Sequence, residues 1–302
     1  MTLSATSDLM PDQMPDLTRR RNWRSTKSRL MEALMVLAFV LVLVPLVFVI
    51  GTVITKGAGI VLRDFPAWFT HKVPVRTRAK GPGMGPAIVG TLVITGVATL
   101  LAVPLGILGA VYLHEYGGQS RSARLVRFLS TVMTGVPSIV MGLFIYVVFT
   151  LRFGLSGLGG SFALACLMLP VVIRSTEEML RLVPVNLREA SYALGTRKAR
   201  TVLTVVLPSA APGVVSGCLL AVARAAGETA PLLFTIGAAK SFNWNAFSGA
   251  NTALSYQIFQ NAGQVLPGPQ ERGWGAALTL VAIAFTFTVL ARAATAYWQR
   301  RR

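Results

Sequence analysis

The chain has 302 residues, 53% of them hydrophobic and only 13% charged, about half the charged share of an ordinary soluble domain. Its 29 Lys and Arg against 11 Asp and Glu give a formal net charge of +18, which on a soluble protein would point to nucleic acid. The basic residues here fall between long apolar runs and no helix-turn-helix or zinc pattern occurs, so membrane topology accounts for the charge and no nucleic-acid partner is expected.

Residues 1–30 are polar, with Asp8, Asp12 and Asp16 followed by a basic cluster from Arg19 to Arg29. They read as a cytoplasmic tail. Residues 33–55 carry no charge and are too long for the apolar part of a signal peptide, so they read as a retained first span. Five further apolar runs follow. They cover residues 81–113 (apolar from Ala87), 128–151, 153–173 with an extension to about Leu180, 201–223, and 273–291. Each is near the length a bilayer demands. The expected architecture is all-α and polytopic, with a six-span permease domain over residues 31–302 and its core over 85–295.

Orientation follows from the basic residues. With the N-terminus inside, the inward segments hold nineteen Lys and Arg and the outward ones nine, so both termini are expected in the cytoplasm. Six of those nine lie in the first outer loop, at Lys56, Arg63, Lys72, Arg76, Arg78 and Lys80. Prolines 45, 104, 137, 170, 208 and 212 fall within the runs, where each removes a backbone donor. They predict kinked packing or a bundle able to hinge. The outer segment 229–274 is long enough to predict structure of its own or a partner. Cys166 and Cys218 lie inside apolar runs with no disulfide or metal spacing, and His71 and His114 flank predicted membrane ends. No metal site is expected.

The most specific pattern lies between the fourth and fifth runs. Glu189-Ala190-Ser191 is followed after three residues by Gly195, and nine residues later by Val205-Val206-Leu207-Pro208. Pro184 can open a short helix, small residues let a partner surface approach, and Gly195 permits the positive φ of a helix terminus. A second pattern, 223–233, reads ARAAGETAPLL. Arg224 and Glu228 are four apart, hence on one helical face. Charges within a span are costly unless paired or hydrated, so the two form either an internal pair or part of a substrate path. The guanidinium fork suits phosphate oxygens. A third pattern, 169–180, reads LPVVIRSTEEML. There Arg174 has Glu177 and Glu178 on its face, and serves either as a snorkelling anchor or as a second basic station at the inner end.

The 189–208 pattern resembles the cytoplasmic EAA loop of ABC importer permeases, E-A-A-x3-G-x9-I-x-L-P, with Ser191 in place of the second Ala and Val205 in place of Ile. With GVPSIVMGLF at 135–144 and the two patterns above, residues 85–235 look like the PstA-type permease of the phosphate importer. The ending GETAPLL is more similar to that type than to its PstC-type partner, which tends to read GETMA. The resemblance implies that residues 184–200 form a coupling loop docking into an ATPase subunit through Glu189, Ala190, Ser191, Gly195, Leu207 and Pro208. It further implies a PstC-like sister permease, two copies of the ATPase below, a phosphate-binding protein above, and passage of inorganic phosphate through a bacterial inner membrane. Arg224, Glu228, Arg174 and Glu177 are the expected pathway residues. No G-x-x-x-x-G-K-[ST] loop occurs in the chain, so ATP and Mg are expected on the ATPase and no catalytic residue here. A permease for another oxyanion, such as molybdate or sulfate, would keep the loop but lack the RAAGETAPLL and IRSTEE combination. A secondary carrier would need neither the loop nor an ATPase.

Overall fold

The structure, a computed structural model, describes residues 23–74, 81–118 and 120–300. The polar tail up to residue 22, and Arg76, Arg78 and Lys80 of the loop expected on the outer side, therefore lie outside the described residues. Among the described residues every regular element is helical. They are α1 (Trp23–Arg63), α2 (Ala67–Thr70), α3 (Gly85–Val111), α4 (Arg121–Gly135), α5 (Ser138–Ile145), α6 (Leu151–Phe153), α7 (Gly157–Arg181), α8 (Val185–Ala193), α9 (Lys198–Thr201), α10 (Leu207–Ala226), α11 (Leu232–Thr235), α12 (Leu254–Ala262) and α13 (Pro267–Arg300). Single π-helical turns continue α3 over Tyr112–Tyr116, join α5 to α6 over Tyr146–Thr150, and lead into α10 over Val202–Val206.

The chain divides into two units, one ending at Gly51 and one beginning at Thr52. The described part of the first is an apolar helix whose large side chains are exposed, Phe39, Val42 and Phe48 among them. That is the surface lipid rather than water would cover. The second unit holds the core. Its centre is the pairing of α3 with α7, where small residues let the backbones close up: Gly106 of α3 sits against Val172 of α7, and Gly160 of α7 leaves room for Ile94 of α3 and for Ile236 just past α11. Ser161 donates to the Ile94 carbonyl at 3.0 Å across the same pair. Gly90 leaves room for the Thr252 carbonyl, which a Cβ there would strike, and the Leu254 amide at the start of α12 donates to Thr91 Oγ1 at 2.8 Å. Segment 229–274 thus has structure of its own, α11 packed on α5 and α7 and α12 on α3 and α13. The fully buried Trp68 closes this end, its indole N–H donating to Thr279 Oγ1 of α13 at 3.0 Å.

Among the described residues five helices are long and apolar enough to cross a bilayer, and a bent pair makes six if it counts as one span. That pair is the expected span over residues 128–151, which begins earlier, at Arg121, and turns sharply where Pro137 predicted a kink. Helix α4 and the helix starting at Ser138 meet at 107°. The cause is local. A residue before proline is pushed out of the α region, and Val136 is extended at φ −73°, ψ 127°; Pro137 follows at φ −57°, ψ 136° with no amide to give. Apolar content registers the run but not its change of direction. The neighbouring spans shift as well. The one expected from 153 begins at Gly157, where Ser156 caps it by accepting from the Gly159 amide at 3.3 Å. Pro45, Pro104, Pro170 and Pro212 are inside their helices, and Pro208, the second residue of α10, also falls within a continuous helical stretch, because the π-helical turn runs into α10 without a break.

Candidate functional site

The connection from α7 to α10 builds one end of the site. Pro184 is the residue before α8 rather than its first turn, with ψ 140°. Helix α8 ends in a turn closed by Gly195, whose φ of +77° few other residues adopt readily. Its amide donates to the Tyr192 carbonyl at 2.9 Å. Glu189 and Ala190 are exposed, as are Tyr192 and Leu194, so α8 presents a free face. Ser191 points the other way and is buried. Its hydroxyl lies 2.6 Å from Thr196 Oγ1 and 2.9 Å from Thr201 Oγ1, which are themselves 2.9 Å apart. The departure from Ala at 191 therefore supplies a three-hydroxyl knot that holds the loop closed against α9. Leu207 and Pro208 begin α10 just beyond it.

Sequence reasoning passed over Arg188. Its side chain is 13% exposed and donates to Glu115 Oε1 from Nε at 3.3 Å and from Nη2 at 3.1 Å. It also donates to the carbonyls of Val183 at 2.7 Å and Leu180 at 3.0 Å. The one available signal was Glu115 itself, a rare acid at the predicted end of a span.

Glu177 and Arg174 lie at this same end. They share a face of α7, but Glu177 pairs with other cations. Its Oε1 accepts from Arg127 Nε at 3.1 Å and from Arg181 Nη2 at 2.9 Å, so it clamps α4 to α7. Arg127 also donates to the Leu113 carbonyl at 2.9 Å. Arg174 and Glu178 are exposed, and with Arg127, Arg181, Ser130 and Thr131 they line a cavity of about 230 Å³. The Glu177–Arg181 spacing of four was legible in the sequence. Arg127, fifty residues away, was not.

Arg224 and Glu228 occupy the opposite end of α10. The helix stops at Ala226, and Gly227 begins a turn in which the Glu228 amide donates to the Ala225 carbonyl at 3.1 Å. Glu228 is thus just past the helix rather than on it, yet the ion pair survives, Arg224 Nε to Glu228 Oε1 at 3.7 Å. Ser255 of α12 holds the Glu228 carbonyl at 2.8 Å. The Arg224 side chain is 73% exposed and that of Glu228 22%, which disfavours a purely internal pair. They border a small cleft with Leu167, Met168 and Val171 of α7. Pro231, from the same sequence pattern, packs on Gly142 of α5, where no side chain would fit. Two of the patterns singled out in the sequence therefore meet in space. Among the described residues no cluster of His, Cys, Asp and Glu could hold a metal ion.

Comparison with known proteins agrees with this geometry. The family described as "Binding-protein-dependent transport system inner membrane component" matches residues 102–302. The phosphate transport system permease protein PstA 1 of Mycobacterium tuberculosis H37Rv is 44% identical over 272 residues, covering 88% of this chain and 86% of the relative. PstA of Mycobacterium leprae is 45% identical, covering 81% and 80%. PstA of Haemophilus influenzae is 36% identical, covering 89% and 94%. Among solved structures, a chain of the inward-facing MetNI methionine ABC transporter superposes with a TM-score of 0.59 at 20% identity, covering 70% of this chain and 94% of that one; at that identity the likeness is one of fold. A helical chain with several membrane-length spans and relatives of this similarity and coverage belongs to the PstA-type phosphate permeases, within the binding-protein-dependent transport system inner membrane components.

Proposed function

We propose that this chain is one of two permease subunits of an ATP-driven importer and passes inorganic phosphate across the cytoplasmic membrane by alternating access. A PstC-like sister permease would complete the pathway, and two copies of an ATPase would dock at residues 184–200. A phosphate-binding protein would deliver substrate from outside. ATP and Mg would be held by the ATPase, and both termini would face the cytoplasm. The observation that carries the reading is Arg224. An arginine at the end of an apolar helix is expensive in lipid, yet its guanidinium is exposed and held by a single carboxylate at 3.7 Å. A fork left open in this way suits a desolvated tetrahedral oxyanion. The exposed basic groups bordering the cavity at the α8 end, Arg174 foremost, would take the anion as it leaves.

The direct test is labelled-phosphate uptake by a strain lacking this chain, with and without the chain and its ATPase restored. Uptake should return only when both are present. Recovery without the ATPase would make the chain a secondary carrier, and recovery of molybdate or sulfate uptake alone would reassign the substrate.

Gly195 gives a finer test of the docking loop. A Cβ there meets nothing within 4 Å, so the cost of substitution lies in the backbone, about 1–2 kcal/mol for a side chain forced into the left-handed region. Gly195→Val should loosen the turn and lower phosphate moved per ATP by about tenfold in vesicles. Gly195→Asn, which tolerates that region, should stay close to wild type. Equal behaviour of the two variants would show that the turn conformation does not matter to coupling.

A further inference from the structure

We propose that Arg188 is a positioning residue for energy coupling: it fastens α8 to the ends of α3 and α7, so that the three move as one body when the ATPase displaces α8. The proposal rests on the reading of residues 184–200 as the docking loop and goes beyond it. Docking says where force arrives. Arg188 says by what route it enters the spans.

A nine-residue helix is too short to hold its shape alone, and a push on its free face moves the bundle only through a stiff connection. Arg188 provides one side chain that reaches three elements. Its Nη1 donates to Val183, just past α7, and its Nη2 to Leu180 in the last turn of α7, where helix carbonyls run short of amide donors; Leu180 O also receives the Val183 amide, at 3.4 Å. The negative end of the α7 dipole favours a cation in this place. Its Nε and Nη2 converge on Glu115, which belongs to the π-helical turn ending α3. The Glu115 side chain is only 6% exposed, so water competes weakly for these bonds. His114 Nε2 lies 3.3 Å from the same Nη2. The planar fork is what permits this many directed bonds at once, and a lysine in its place would make fewer. The neighbouring Glu189 is exposed. Adjacent residues of α8 therefore face opposite duties, one toward the ATPase and one into the permease.

The test uses the full transporter, with both permeases, the ATPase and the binding protein, reconstituted in vesicles. Three quantities are read: ATPase retained on purification, ATP hydrolysed, and phosphate moved per ATP. Glu115→Leu, which has no acceptor, removes the α3 link while leaving Arg188 its bonds to α7. It should assemble and hydrolyse ATP near the wild-type rate, with phosphate per ATP down about tenfold, within the usual range of coupling energies. Arg188→Ala should lower the ratio at least as much, and Arg188→Lys should fall between it and wild type. A wild-type ratio in Glu115→Leu overturns the proposal, as does a loss of hydrolysis and transport in equal proportion in Arg188→Ala, the sign of a merely structural role. Should Arg188→Ala fail to assemble, Glu115→Leu decides alone. The docking reading is checked separately by cross-linking Glu189→Cys to the ATPase. Absence of that cross-link in an active complex removes the docking loop itself, whereas its presence with an unchanged ratio removes only the role of Arg188.

Discussion

Arg224→Ala is expected to reduce phosphate uptake by about a hundredfold or more, while the protein inserts in the membrane and retains its ATPase. Hydrogen bonds to a charged group contribute about 1.5–3 kcal/mol each. Losing two of them from a bidentate contact, at about 1.4 kcal/mol per tenfold, gives that magnitude. Stability should hardly change. The side chain is 73% exposed and its ion pair long, at 3.7 Å, and such pairs contribute about 0–1 kcal/mol. Glu228 would not be left adrift, since Ser255 and the Ala225 carbonyl fix its backbone. Arg224→Lys should lie between, because it keeps the charge and loses the fork. The measurement is initial uptake rate per membrane-inserted molecule, with ATPase co-purification as the control. Wild-type uptake by Arg224→Ala would remove this residue from the pathway.

For Glu177→Ala the expected loss is one of stability. The substitution would strip the carboxylate from Arg127 and Arg181 together and free α4 from α7. Removing one partner of a buried pair costs about 3–5 kcal/mol. Here the two arginine side chains are 37% and 61% exposed, so solvent offsets part of it and about 2 kcal/mol is the reasonable figure. The thermal midpoint of the purified complex should fall by several degrees, and uptake per surviving molecule should remain near normal. Glu177→Gln, which keeps an acceptor for one arginine, should lose less. The opposite pattern, unchanged stability with uptake abolished, would return Glu177 to the pathway role first expected of it and end its reading as a clamp.

These two residues show what kind of information each source held. Arg224 was visible because a charge at the edge of an apolar run is conspicuous in itself. Its neighbour Glu228 was visible by spacing, and the pair formed although the helix ended between them. Glu177 was equally conspicuous, and its spacing from Arg181 could be read off the chain. Its other partner, Arg127, lay just before the apolar run that starts at residue 128, on a helix whose first turns, from Arg121, are polar and carry no apolar signal.

The number and rough place of the spans could be read directly, since lipid demands apolar stretches of fixed length whose backbone bonds close internally. The loop over residues 184–200 was legible for a related reason: a short helix ended by a glycine of positive φ is a local structure with a local signature. What folding alone decided were the pairings across distance. Arg188 with Glu115, Ser191 with Thr201, and Glu177 with Arg127 each depend on which helix ends are brought together. Periodicity specifies the face a residue occupies on its own helix, but the neighbour that fills that face is chosen by close packing of small residues such as Gly106 and Gly160, and that choice exists only once the helices have met.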